Sequence, residues 1–294
     1  MAARAVITLL ALAALVGGCD PDGGGTDESP GPRETPAERA APPRPDARIP
    51  ARPSPLAERL RQTRGSLYRA IDRWLAANDP RDRAPREVTL FALHHQRIYM
   101  RLARRPRLAH AVIARLEGPV ASEARDTIAA RRRVASLSQP VARRHFRVGP
   151  ARPAGVLLGY YRAAERRFGV SWRVLAAVNF VESAFGRLRS ESTAGARGPM
   201  QFIPATWKAY GMGGDVDDPH DAIMGAANYL RASGAPAAYA RALYAYNPSQ
   251  SYVDAVLRYA RQIRRDRRAY FAYHSWQVFV HTPSGTRRLT GPRP

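Results

Sequence analysis

The stretch SWRVLAAVNFVESAFGRLRSESTAGARGPMQ, residues 171–201, decides how the rest of the chain is read. Ser171 suits an N-cap, and Trp172 to Phe185 reads as one helix. At about 100° per residue Val174, Leu175, Val178, Val181 and Phe185 fall within one arc. The helix has only Arg173, Asn179, Glu182 and Ser183 as polar members, so it is covered on most sides. Glu182 sits in the middle of the apolar arc. Burial disfavours its charged form, and its place in the last turn sets it against the negative end of the helix dipole. Both raise its pKa, which is the adjustment an acid needs to donate a proton near neutral pH. The same position suits a structural carboxylate paired with Arg187 or Arg189, since buried ion pairs also occur without function. The helix alone leaves both readings open.

The chain begins with Arg4, an apolar run from Ala5 to Val16, and Gly17-Gly18-Cys19, the order of a secretory signal over residues 1–18. That run is too short to span a bilayer as a mature helix. Cys19 is the one cysteine, which excludes an intramolecular disulfide and a thiolate metal site. Its place after Val16-Gly17-Gly18 resembles a bacterial lipobox. That likeness implies a lipidated first residue, anchored by two or more acyl chains to the outer face of the cytoplasmic membrane; an ordinary secretory signal is the alternative. Residues 19–55 are rich in proline and glycine without apolar periodicity and read as a disordered or polyproline-like tether. At about 3.1 Å per residue it reaches on the order of 100 Å.

The net charge of +23 comes almost wholly from arginine, with Lys208 the single lysine. Nucleic acid is the first partner such a balance suggests, and an exported chain argues against it. Runs such as Arg104-Arg105, Arg131 to Arg133 and Arg264-Arg265 are scattered over several helices. They fit solvated faces or attraction to anionic lipid headgroups or wall polymers.

Residues 56–148 read as helical throughout, broken at Asn78-Asp79-Pro80, near Pro106 and at Gly118-Pro119, and carry no catalytic motif. His95 lies in an apolar stripe and reads as a hydrogen-bonded core residue. Gly149-Pro150-Ala151-Arg152-Pro153 marks the best internal boundary, opening a segment over 149–268. A helix there ends at Gly169, another starts at Pro204, and a third runs from about Pro236 to Asn247, where Pro248 stops it. Asp218, Pro219 and Asp221 read as an N-terminal cap rather than as a calcium loop or a second catalytic carboxylate. Tyr252, Val256, Tyr259 and Ile263 mark the last long helix. Residues 269–294 read as a tail with a small β-hairpin: Trp276 to His281 alternates, Thr282 to Gly285 turns, and Thr286 to Thr290 returns. The fold class is therefore mainly α.

Glu182-Ser183, Gly198-Pro199-Met200-Gln201 and Ala245-Tyr246-Asn247, in that order and spacing, resemble the lytic transglycosylases, lysozyme-like enzymes that cut bacterial peptidoglycan. Phe202-Ile203-Pro204-Ala205-Thr206-Trp207 and Asp218-Pro219 extend the likeness, while Pro199 stands where leucine is usual. The resemblance implies a helical lysozyme-like catalytic domain with a cleft for glycan strands, no cofactor and no metal. It implies that Glu182 is the sole catalytic carboxylate, protonating the glycosidic oxygen and then taking the proton of the muramic acid 6-hydroxyl to close a 1,6-anhydro ring. Ser183 would orient substrate or Glu182, Met200 and Gln201 would line the cleft, Tyr246 would hydrogen-bond Glu182, and Asn247 would support that corner. Two alternatives remain: a lysozyme-type hydrolase using Asp217 or Asp218 to activate water, and a non-catalytic glycan-binding lipoprotein.

Overall fold

The computed structural model describes residues 40–137 and 142–293; the export signal, Cys19 and residues 20–39 of the tether lie outside the described residues. Residues 40–52 hold no helix or strand and turn at residues 45–46, where Nη1 of Arg97 donates to the carbonyls of Pro45 at 3.1 Å and Ala47 at 2.8 Å.

Four helices follow: α1 (Pro53–Ala77), α2 (Arg86–Ala103), α3 (Pro106–Ile113) and α4 (Gly118–Ala135). Proline occupies the first turn of α1, α3 and α4, where its missing N–H costs nothing. Leu56, Leu60, Leu67, Ile71 and Trp74 form the buried stripe of α1. His95 of α2 is buried, with Nε2 3.2 Å from Oε1 of Glu123, a core carboxylate that Arg64 also pairs at 2.7 Å.

Beyond the irregular segment at residues 149–153 come α5 (Ala154–Phe168), α6 (Trp172–Ser183), α7 (Pro204–Tyr210), α8 (Pro219–Ala232), α9 (Tyr239–Tyr246) and α10 (Gln250–Arg265). Gly169 ends α5 in the left-handed conformation, and the Ser171 side chain caps α6 by accepting from the Arg173 N–H. Asp218 caps α8, its carboxylate accepting from the backbone N–H groups of His220 and Asp221. Two helices differ from expectation. α6 stops at Ser183, two residues early, and α9 begins at Tyr239 rather than near Pro236.

α10 packs against α6 on one side and α4 on the other, so the helices before and after residues 149–153 share one hydrophobic core running from Leu56 to Trp276. A buried acid fastens that seam. Asp126 of α4 accepts from Arg258 at 3.0 Å, from Arg261 at 2.6 Å and from Gln262 at 2.5 Å, all on α10.

The C-terminal segment is more than a tail. Helix α11 (Arg268–His274) starts where Asp266 accepts from the Arg268 N–H, and Ala269 to His274 are all buried. Such a short run, apolar all round, has no periodicity to announce it. Phe271 alone, fully buried, contributes about 1.5–3 kcal/mol. The hairpin follows as β1 (Phe279–Thr282) and β2 (Gly285–Arg288), pairing Phe279 with Arg288 and Thr282 with Gly285. It starts three residues later than the alternation suggests. The Gln96 amide clamps its root, donating to the Gln277 carbonyl and accepting from the Gln277 N–H, both at 2.8 Å.

Candidate active site

The functional end of α6 is shaped by a sharp exit. Ala184, Phe185 and Gly186 all have positive φ, at 51°, 63° and 77°. The two non-glycine residues each cost about 1–2 kcal/mol in that region. Surrounding contacts hold them there: Phe185 is buried and stacks on Phe180 at 5.3 Å, and the Gly186 N–H donates to Ser183 Oγ at 2.8 Å. The chain therefore leaves the helix directly after Glu182 and Ser183.

The loop carrying Gly198 to Gln201 is closed at its base by reciprocal backbone bonds of 2.9 Å between Arg197 and Phe202. Gly198 has φ +73°, and a β-carbon there would lie 1.9 Å from the Val216 carbonyl oxygen, so only glycine fits. The loop presents the Pro199 carbonyl to α6, where Ser183 Oγ donates to it at 2.5 Å and Asn179 Nδ2 at 2.7 Å. Tyr161 orients Asn179 by donating to its Oδ1 at 2.5 Å. The Ser183 hydroxyl is thus spent on the protein itself.

Glu182 is 1% exposed, and among the described residues neither carboxyl oxygen has a hydrogen-bond partner. The ion-pair reading is not realised: Arg187 donates to the Ala184 carbonyl and Arg189 to the Pro150 carbonyl. Burial pushes the Glu182 carboxyl up to about 8, and the nearby Tyr252 hydroxyl pulls weakly the other way. That hydroxyl approaches the carboxyl without closing a bond of normal geometry, since it too is buried and unpartnered.

The expected bond from Tyr246 to Glu182 is not formed. Tyr246 Oη instead donates to the Met200 carbonyl at 2.6 Å, the acceptor that the tight loop offers it, while its ring stacks parallel to Tyr252 at 6.4 Å. Tyr252 takes the place facing the acid. Gln201, at φ 49°, turns its amide back onto the Gly198 carbonyl at 3.0 Å, and Asn247 is buried at the end of α9.

A pocket opens beside Glu182. Phe180, Glu182, Ser183 and Tyr259 form its helical wall; Gln96, Met100, Arg104 and Arg131 form another; Phe279, His281 and Thr286 of the hairpin close it. Among the described residues Glu182 is the only acidic side chain lining it, and Met200, Gln201, Tyr246 and Asn247 do not line it. Asp217 is ion-paired with Arg197 at 2.8 Å, and Asp218 is used as the α8 cap. Asp218, His220 and Asp221 lie close together, but their oxygens already serve the backbone and the His220 ring.

The site thus joins a buried acid at a strained helix end to a glycine loop pressed on it, within a mainly helical frame. Residues 159–269 match the family model described as Transglycosylase SLT domain. The chain carries an SLT transglycosylase domain. No curated protein and no solved structure matches the chain. SLT domains are lysozyme-like and act on peptidoglycan in the cell envelope, so the matched segment supports a peptidoglycan-acting transglycosylase in general. Among the described residues no helix is long and apolar enough to cross a membrane.

The match covers α6 to α10 and most of α5, yet the pocket beside Glu182 is finished by side chains outside it. Gln96, Arg104, Arg131 and the hairpin residues carry no local motif. Tyr252 could have been singled out only as a polar atom on an otherwise apolar stripe of α10.

Proposed function

We propose that the protein is a membrane-tethered lytic transglycosylase that cleaves the β-1,4 bond between N-acetylmuramic acid and N-acetylglucosamine, leaving 1,6-anhydro-muramic ends. One observation carries this reading: Glu182 is a buried acid, unpartnered among the described residues, and is the sole carboxyl lining its pocket. With its pKa near 8 the carboxyl is protonated at neutral pH and can donate.

In this reaction Glu182 gives its proton to the glycosidic oxygen as the bond to the anomeric carbon breaks. The substrate's own N-acetyl group stabilises the positive charge there. The Glu182 carboxylate then takes the proton of the 6-hydroxyl, and that oxygen closes the ring on the anomeric carbon. No water is consumed, so one carboxyl suffices where the usual glycosidase needs two. The engagement of Asp217 and Asp218 elsewhere supports this over a hydrolase.

Ser183 acts here by holding the end of α6 to the Pro199 carbonyl. Met200 and Gln201 shape the loop, and Tyr246 and Asn247 support it from α9. Lipidation of Cys19 anchors the chain, and the proline-rich segment that follows it, as far as its contact with Arg97, carries the catalytic unit, 149–268, and its helical partner, which begins with α1, towards the wall. The arginine-rich surface adds attraction to anionic lipid or wall polymers.

Mass spectrometry of soluble products from purified peptidoglycan tests the reading. Anhydro-muramic ends released by the parent and lost in Glu182→Gln are expected. Reducing muramic ends would make the protein a hydrolase, and binding without any release would make it a glycan-binding lipoprotein.

A further inference from the structure

Two arginines stand in the wall of the Glu182 pocket, and among the described residues neither is ion-paired. Arg104, directly after α2, and Arg131 of α4 both line it, alongside His281 of β1. The Arg104 guanidinium donates to Thr286 Oγ1, and the Arg131 guanidinium lies over the Trp276 ring, 5.2 Å from its centroid. Among the described residues neither meets a carboxylate. Their neighbours behave otherwise: Arg133, on the same helix as Arg131, pairs with Asp254 at 2.9 Å, Arg64 pairs with Glu123, and Arg258 pairs with Asp126.

For Arg131, the more enclosed of the two, the environment makes this costly, while Arg104 keeps much of its surface in water. Burial works against the charge of both guanidiniums, and Arg104 adds repulsion at Arg131 and at His281. Nor do they serve as counter-ions to Glu182, whose shift arises from burial and is opposed by Tyr252 alone. A charge drawn out of water as Arg131's is lowers stability unless something else meets it, and the exposed Arg104 beside it is open to the same incoming group. A guanidinium offers a planar fork of N–H donors that fits a carboxylate in two parallel bonds.

We propose that Arg104 and Arg131 form a carboxylate-binding subsite that holds an acidic group of the wall strand while Glu182 faces the glycosidic bond. The inference rests on the proposed function for its substrate. Both arginines lie outside residues 159–269, so this recognition is added to the SLT domain by the flanking helices. The carboxylate has two sources in such a strand: the lactyl group of a peptide-free muramic acid, or the stem peptide.

Binding of fluorescently labelled strands to the full chain, in a Glu182→Gln background that prevents turnover, tests this. Three strands are compared: peptide-bearing, peptide-free with a free lactyl carboxyl, and peptide-free with that carboxyl amidated. Arg131→Gln should weaken binding of a carboxylate-bearing strand about tenfold, the scale of a charge-assisted hydrogen bond, with the amidated strand little affected. Arg104→Gln should act in the same direction, and Arg131→Lys should recover part of the loss. A loss confined to the peptide-free acid assigns the lactyl group; a loss confined to the peptide-bearing strand assigns the stem peptide. Equal losses on all three strands, or none, would overturn the subsite. The thermal midpoint of Arg131→Gln should match or exceed that of the parent, and a marked fall would make Arg131 structural and overturn it too. Anhydro products without arginine dependence would remove this inference alone, whereas arginine-dependent binding without anhydro products would remove the proposed reaction alone.

Discussion

Ser183 Oγ donates to the Pro199 carbonyl at 2.5 Å, which fastens the residue next to the acid to the loop that follows it. The same oxygen accepts from Asn179 Nδ2 at 3.2 Å and from the Gly186 N–H at 2.8 Å. Ser183→Ala removes this junction from a fully buried site. Stability should fall by about 1–3 kcal/mol, the cost of leaving buried polar groups unpaired, with Asn179 still holding the Pro199 carbonyl. Chemical denaturation measures the loss, and turnover should drop further than stability does because the strained exit after Ser183 loosens.

Gly198→Ala should be worse. The added carbon meets the Val216 carbonyl at 1.9 Å in a conformation that only glycine adopts easily. A loss above about 2 kcal/mol is expected, since steric and backbone strain add. Thermal melting together with peptidoglycan clearance reads it, and a fully stable, active Gly198→Ala protein would contradict the loop geometry.

Glu182 links activity and stability through pH. Its carboxyl ionises near 4.5 in the unfolded chain and about 8 in the folded one. Between those values the unfolded chain has lost the proton that the folded chain keeps, so stability falls as pH rises across that window. Glu182→Gln removes this cost. The variant should match the parent below about pH 4.5 and exceed it above pH 8, by on the order of 5 kcal/mol. In the parent, kcat/KM should decline as pH passes about 8, because the carboxylate has no proton to give.

Asp126→Ala tests the seam between α4 and α10. It strands Arg258 and Arg261 and should cost about 3 kcal/mol, as for a broken buried pair. Calorimetry should still show one transition. Two separate transitions would mean that the helices before residue 149 fold independently of the SLT domain.

What could be read from the sequence was local. The stripe of α6, the Ser171 cap, the Gly169 stop and the Asp218 cap each depend on residues within a turn or two, and the structure contains all four. The acid in the apolar arc was legible for the same reason. Helix α11 was not, because six consecutive buried residues have no helical period to detect. The partner of Tyr246 was missed because the choice between the Met200 carbonyl and Glu182 depends on how α9 meets the loop, and Tyr252 hid its hydroxyl within a core stripe. Arg104 and Arg131 looked like members of an arginine-rich surface. Only packing across more than a hundred residues brings them to the hairpin.

The central claim is that one acid, Glu182, closes the sugar ring without water. Digestion of purified peptidoglycan in isotopically heavy-oxygen water tests it most directly. The account predicts muramic ends that carry no heavy oxygen and are lighter than a reducing end by one water, and no such ends from Glu182→Gln. Heavy oxygen at the anomeric position of the released muramic acid would contradict it.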